Sequence, residues 1–279
     1  MGELEPETGI ITEAAELAHY NEVAGREDRY SHLKSCVERV RDLGTSWAVP
    51  LISWLDTAPD GAAQADTYVH LSRSIVGGRV LSLGGTGQAA LKALVGGASE
   101  SALVTPSPGE AELARRVAAD LGLSNRFSTF IGYAESLPLD TASFTAVISE
   151  GCLHHTNTEQ AYKECSRVLV AGGRFGAWEP WKARLYSLGI SLFGKRDPAI
   201  NCRPMEAARL TGLQEAFPTA SEVRLHGAMS RYPGIVWGRL VRPAKVSTSY
   251  RVTLLDDSIS KRIPALARNG SSCAILAVK

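Results

Sequence analysis

This 279-residue chain has no excess of charge of either sign. Its 30 lysines and arginines face 29 aspartates and glutamates, a formal net charge of +1. No global field therefore recruits nucleic acid or an anionic membrane surface. No basic stripe is present, nor an Asn-Pro-Pro-aromatic element to stack an extruded base, so nucleic acid is not an expected partner. No apolar run reaches the length of a membrane span, so no membrane partner is expected either. The opening "MGELEPETGIITEAAELAHY" is acidic and lacks an apolar core segment, which argues against a secretory signal. Five cysteines, Cys36, Cys152, Cys165, Cys202 and Cys273, are scattered with no CxxC pair. That spacing predicts reduced thiols and a cytoplasmic protein, and it offers no metal site. Internal repeats and low-complexity tracts are missing too, and nothing specifies an oligomeric state.

What is present is an ordinary globular composition, 44% hydrophobic and 21% charged. Its length suits one α/β domain with additions. Residues 1–76 read as helical, with apolar positions at helical spacing in "ITEAAELAHYNEV" and "YSHLKSCVERVRDLG". They are expected to form an N-terminal cap over the mouth of the following domain.

From Gly77 the pattern alternates. Strands are expected at Arg79–Leu83, Ser101–Thr105, Arg126–Ile131, Ala146–Ser149 and Gly173–Trp178, with helices at Gln88–Leu94, Gly109–Asp120 and Thr158–Leu169. Such alternation predicts an α/β fold: a Rossmann-like, mostly parallel sheet of seven strands with helices on both faces. "SEVRLHGA" and "SSCAILAVK" supply the last strands, and "MEAARLTGLQEAF" reads as one further helix. The domain is thus expected over 77–279, with cap insertions at about 183–215 and 229–270. Tyr232 and Trp237 are candidates for lining a substrate cavity.

The stretch "VLSLGGTGQAAL" at 80–91 breaks from strand to helix through Gly84-Gly85-Thr86-Gly87. A strand, a glycine turn and a helix N-terminus form a cradle into which ligand backbone or phosphate can come close. In an open α/β sheet the ligand lies at the carboxyl ends of the strands. His154 and His155 follow the fourth strand there, and a histidine can take a proton from an acceptor. Glu150 and Glu179 end the fourth and fifth strands and are further candidates for a base; burial beside an arginine is the structural alternative. Cys152 has no activating neighbour in sequence and reads as a packed thiol. Lys182, Arg184, Lys195, Arg196 and Arg203 form either a solvated face or an anion-binding rim.

Three blocks now stand in fixed order: "GGRVLSLGGTGQAAL", "GYAESLPLDTASFTAVISEGCLHH" and "CSRVLVAGGRFGAWEPW". Together they resemble the class I S-adenosylmethionine-dependent methyltransferases, specifically the small-molecule group with a "GDAExLPF…SFDAVxS…LHH…RVLxPGG" pattern. The resemblance covers about residues 77–180. It implies S-adenosylmethionine as cofactor, held by Gly84, Gly85, Gly87, Thr105, Tyr133, Ala134 and Glu135. It also implies methyl transfer to a small-molecule acceptor, with His154, His155 or Glu150 as the catalytic base.

The resemblance carries departures. Where the family's first strand ends "D-x-G-x-G-x-G", this chain has Ser82, Gly84, Thr86 and Gln88. The family's ribose-binding acid at the end of the second strand falls on Thr105. The acid of "GDA" is Tyr133, and the aspartate of "SFDAV" is Thr145. A carboxylate accepts both ribose hydroxyls in charge-assisted bonds, whereas a threonine offers a weaker neutral contact. The replacements predict weak cofactor binding or its loss. They keep open a second reading, in which the same fold promotes a cyclisation, rearrangement or elimination.

Overall fold

A computed structural model describes residues 13–43, 54–55, 61–184, 203–228, 246–263, 266 and 268–279. Three helices come first, α1 (Glu13–Ala24), α2 (Glu27–Leu43) and α3 (Gly61–Ile75). The alternation then begins with β1 (Arg79–Leu83), α4 (Gln88–Val95), β2 (Glu100–Thr105) and α5 (Pro108–Asp120). It continues through β3 (Phe127–Ile131), β4 (Phe144–Glu150), α6 (Thr158–Val168) and β5 (Leu169–Pro180). The chain ends with α7 (Leu213–Ala216), β6 (Ala220–His226), α8 (Val246–Arg262) and β7 (Ser272–Val278).

The strands form one seven-stranded sheet in the order β3-β2-β1-β4-β5-β7-β6. β1 to β5 run parallel, and β7 is antiparallel to both β5 and β6. The expected fold class is therefore the observed one. Alternation along each strand explains why the sheet is covered on both faces. From β1, Val80 joins one core with Leu103, Ile148 and residues of α2 to α5. Leu81 and Leu83 join the other core with Val147, Phe175, Tyr162 of α6 and Phe217.

Local chemistry sets the helix ends. Ser107 accepts a hydrogen bond from the Glu110 N–H, with Pro108 at the first helical position of α5. Asn157 caps α6 in the same way through the Gln160 N–H. The single helix expected over 205–217 is instead two short pieces, a 3-10 turn at Ala207–Leu210 and α7. Gly212, at φ +82°, separates them, because a left-handed residue cannot continue a right-handed helix.

α3 belongs to the sheet as much as to the N-terminal region, since it packs along β5 and β7. Tyr232, Trp237, Lys195 and Arg196 lie outside the described residues. No described helix is long and apolar enough to cross a membrane.

α8 is moored at the β6 edge by a buried ion cluster. His226 is 4% exposed; its Nδ1 lies 2.7 Å from Asp257 of α8, and its Nε2 lies 3.3 Å from Asp66 of α3. Burial alone would lower the imidazole pKa, but the two carboxylates outweigh it and raise the value to about 9. Folding thus tightens proton binding. The stabilisation is complete below the ordinary histidine value of about 6.5 and is lost as pH climbs through about 9. His226→Gln is expected to lower the melting temperature most just below about pH 6.5. The gap from wild type should close towards pH 9 in thermal unfolding measured across that range.

Candidate active site

β1 ends in a turn that only glycine makes without strain. Gly84, Gly85 and Gly87 have φ of +68°, +65° and +71°. Each faces a different neighbour. A Cβ on Gly84 would stand 2.5 Å from the Cys152 Sγ, and one on Gly87 would stand 3.0 Å from Leu103. A Cβ on Gly85 would meet nothing within 4 Å. Gly84 and Gly87 thus let β1, β2 and the β4 loop close together, while Gly85 presents bare backbone to open space. The turn is tied to its neighbour strand by the Gly84 N–H, which donates to the Val104 carbonyl at 2.8 Å.

Beyond β4, the chain passes through Gly151 into a 3-10 turn, Leu153–His155. Glu179, near the end of β5, organises this loop. It is fully buried. Its Oε1 accepts from the Cys152 N–H at 3.0 Å, the Leu153 N–H at 2.9 Å and the Ser149 hydroxyl at 3.2 Å. Its Oε2 takes the His154 ring at Nδ1, 2.7 Å away. A carboxylate in this position accepts only, so Nδ1 carries the proton and the basic lone pair of His154 falls on Nε2. Sequence alone offered Glu179 as a possible base; the structure makes it the residue that positions the histidine.

Glu150 sits half-buried at the last position of β4, and Tyr68 of α3 donates to its Oε1 at 2.5 Å. The His155 ring lies 4.0 Å from that of His154, centroid to centroid. Burial first, then the neighbouring His154, Arg203 and Arg209, lower the His155 pKa to about 3. Its Nδ1 lies 2.9 Å from Glu16 of α1. Burial and the charges of Glu179, Glu110 and Glu135 push the Cys152 thiol well above its ordinary value, which fits a packed thiol and not a nucleophile.

The positions expected to touch a cofactor are unequal. Ala134 is buried, and Tyr133 is 49% exposed. The Tyr133 hydroxyl bonds Glu13 of α1, which raises its pKa. Glu135 accepts from the Asn157 N–H at 2.7 Å, bracing the start of α6. Thr105 is fully buried and donates its hydroxyl to Glu110 at 2.8 Å, so that hydroxyl is already committed within the protein. Thr145 lies at the opposite end of β4, where its hydroxyl donates to the Ser74 carbonyl. Its replacement of an acid therefore bears on the α3–β1 corner and not on the ligand edge.

Two features were not read from the sequence. The first is Arg209, which donates to four carbonyls, those of Leu153, His154, Thr156 and Arg203, at 2.8–3.0 Å. An arginine in an unremarkable turn gives no sequence signal of this. Beside it opens a recess of about 600 Å³, lined by Thr156, Lys182, Arg203, Glu206 and Arg209. Lys182 is paired with Glu206 at 2.8 Å there, so part of the basic cluster is internally balanced. The second is the set of polar contacts by which α1, expected as part of the N-terminal cap, crosses three loops at once. Asn21 accepts from the Ser107 hydroxyl and the Gly109 N–H after β2, both at 2.8 Å. Glu13 reaches Tyr133 after β3, and Glu16 and Tyr20 reach His155 after β4.

Residues 81–177 match the family model of a methyltransferase domain. No curated protein matches the sequence. Among solved structures, a geranyl diphosphate C-methyltransferase from Streptomyces coelicolor A3(2) superposes with a TM-score of 0.56 at 13% identity, over 94% of this chain and 97% of that one. A geranyl diphosphate methyltransferase solved in complex with S-adenosylmethionine gives 0.55 at 15% identity, over 78% and 84%. The [4+2]-cyclase SpnF gives 0.51 at 23% identity, over 76% and 80%. At these identities the likeness is one of fold.

The loop from Ser149 to His154 hangs on one carboxylate. Glu179→Ala leaves three backbone N–H groups, a hydroxyl and an imidazole N–H without their acceptor. A loss of about 3 kcal/mol or more in urea unfolding is expected. Faster amide exchange should be confined to Cys152–His154.

Proposed function

We propose that the protein is an S-adenosylmethionine-dependent enzyme transferring a methyl group to a small-molecule acceptor, a reading supported by the match of residues 81–177 to a methyltransferase-domain model and by the fold. The observation that carries this reading is the glycine turn. Its backbone opens at Gly85 on free space, at the same sheet edge as a histidine oriented by a buried carboxylate. That turn fits a ligand that must come within contact distance of main chain, which an ordinary strand-to-helix turn does not require. Bound there, S-adenosylmethionine supplies an electrophilic methyl group.

The protein's own part is positioning and proton removal. Gly84–Gly87, Ala134 and Glu135 form the cofactor's bed. The loop held by Glu179 and Arg209 fixes the acceptor against it, and alignment of reactants contributes most of the rate in such a displacement. His154 takes the acceptor's proton at Nε2, because Glu179 commits Nδ1 as a donor and stabilises the imidazolium that forms. His155, held neutral by its surroundings, packs under α1 and links the lid to the catalytic loop. The recess beside Arg203 and Arg209 is the side from which the acceptor enters.

A second reading has its own support. Ser82, Thr105 and Tyr133 stand where the family carries acids, and the first two are buried. In this reading the same cavity and the same His154 promote a non-methylating reaction, with the cofactor idle or dispensable. SpnF, a [4+2]-cyclase, shares this fold.

Calorimetric titration with S-adenosylmethionine and S-adenosylhomocysteine tests the first reading, and product formation without added S-adenosylmethionine tests the second. Binding of both is expected, and no heat with either would remove methyl transfer. His154→Ala should lower turnover by about 10²–10⁴-fold while leaving S-adenosylhomocysteine affinity unchanged. His155→Ala should cost far less. Wild-type turnover in the His154 variant would move the base elsewhere, with Glu150 next to be tested.

A further inference from the structure

The replaced acid at the end of β2 has a neighbour that the function above does not use. Glu110, in the first turn of α5, is 8% exposed, and its Oε2 lies 2.8 Å from the Thr105 hydroxyl. A carboxylate thus sits within one hydrogen bond of the position where the family carries its ribose-binding acid. Its other oxygen, Oε1, makes no hydrogen bond among the described residues.

A helix-capping role does not account for this carboxylate. In a reciprocal capping box, the acid three residues after the cap reaches back to the cap's own N–H. Here the Ser107 side chain accepts from the Glu110 N–H as such a box requires, at 3.1 Å. The Ser107 N–H, however, is taken by the Thr105 Oγ1 at 3.2 Å. Thr105 stands in the acid's place and turns the carboxylate away from the backbone. Glu110 is left buried with half of its acceptor capacity unused, and burial raises its pKa while Thr105 and Arg29 only partly offset that. Donors that meet its Oε1 would favour the charged form.

The location fits a ligand at the glycine turn. Gly84 is bonded to the end of β2 through Val104, and Gly132 after β3 is bonded to the Thr105 carbonyl. The charge of Glu110 is felt at Cys152, whose side chain lies against Gly84. Asn21 of α1 closes over the adjacent Ser107 and Gly109.

Resting on the reading that S-adenosylmethionine binds this turn, we propose that Glu110 replaces the missing β2 acid and accepts the 2′ and 3′ hydroxyls of the cofactor ribose, with Thr105 holding it in place. The acid has moved from the strand end to the first turn of the next helix. Two ribose O–H donors supply what the buried carboxylate lacks, and the anion they favour is the form that binds them.

Calorimetry with S-adenosylhomocysteine and its 2′,3′-dideoxy analogue tests this. Wild type should prefer S-adenosylhomocysteine by about 10- to 100-fold, and Glu110→Gln should bind both equally weakly. Thr105→Asp in the Glu110→Gln background should restore affinity and preference together, which a purely structural role would not produce. Should the variants fail to fold, wild type alone decides: its affinity for S-adenosylhomocysteine should fall with acidification, and that for the dideoxy analogue should not. Wild-type affinity and preference in Glu110→Gln would overturn the role of Glu110 and leave cofactor binding standing. Absence of any S-adenosylhomocysteine binding to wild type would instead overturn the cofactor reading, and this proposal with it.

Discussion

A fully buried glutamate at the end of a central strand is the constraint on which the rest of the site depends. Glu179 has no solvent contact, so its charge must be met by protein donors or not exist. It meets that demand by gathering the backbone of Cys152 and Leu153, the Ser149 hydroxyl and the His154 ring. The loop after β4 consequently has one conformation. The position of Cys152 against Gly84, and hence the closeness of the β1 turn, follows from that conformation.

Two further elements complete the assembly from outside the sheet. Arg209 binds the outer side of the same loop through its carbonyls, so the loop's donors face Glu179 and its acceptors face Arg209. α1 then lies across the loops after β2, β3 and β4, touching each with a polar side chain. This helix touches three loops with polar side chains, buries Val23 and Ala24, and packs against α5 and α2. Its placement couples lid and site in one structure.

The replaced acids have separate meanings once the tertiary structure is known. Thr145 is an anchor at the far end of the sheet. Tyr133 is an exposed partner of the lid helix. Thr105 is buried and links the Ser107 N–H to the Glu110 carboxylate. A carboxylate therefore stands one hydrogen bond from Thr105, so the count of replaced acids overstates the change in electrostatics. Fold and chemistry are separable here because backbone geometry carries the first and a few movable side chains carry the second.

Much of the architecture was legible in the chain. Apolar strands punctuated by glycine, proline and capping residues marked the sheet and its helices, because strand and helix periods and turn chemistry are local properties. The glycine turn and the His154–His155 pair could be placed at the carboxyl edge of the sheet by the same reasoning, since they follow the first and fourth strands. Glu179 and Glu110 drew their roles from elsewhere. One is 25 residues from the histidine that it orients, and the other is a surface-type residue in a helix's first turn. Burial decides whether such a carboxylate is solvated or must find partners, and burial is set by what packs over it. The mooring of α8 through His226 likewise required contacts between distant segments. Sequence determined which elements form and which way they run; only the packed chain decided which of its acids face water, which hold a loop and which remain available to a ligand.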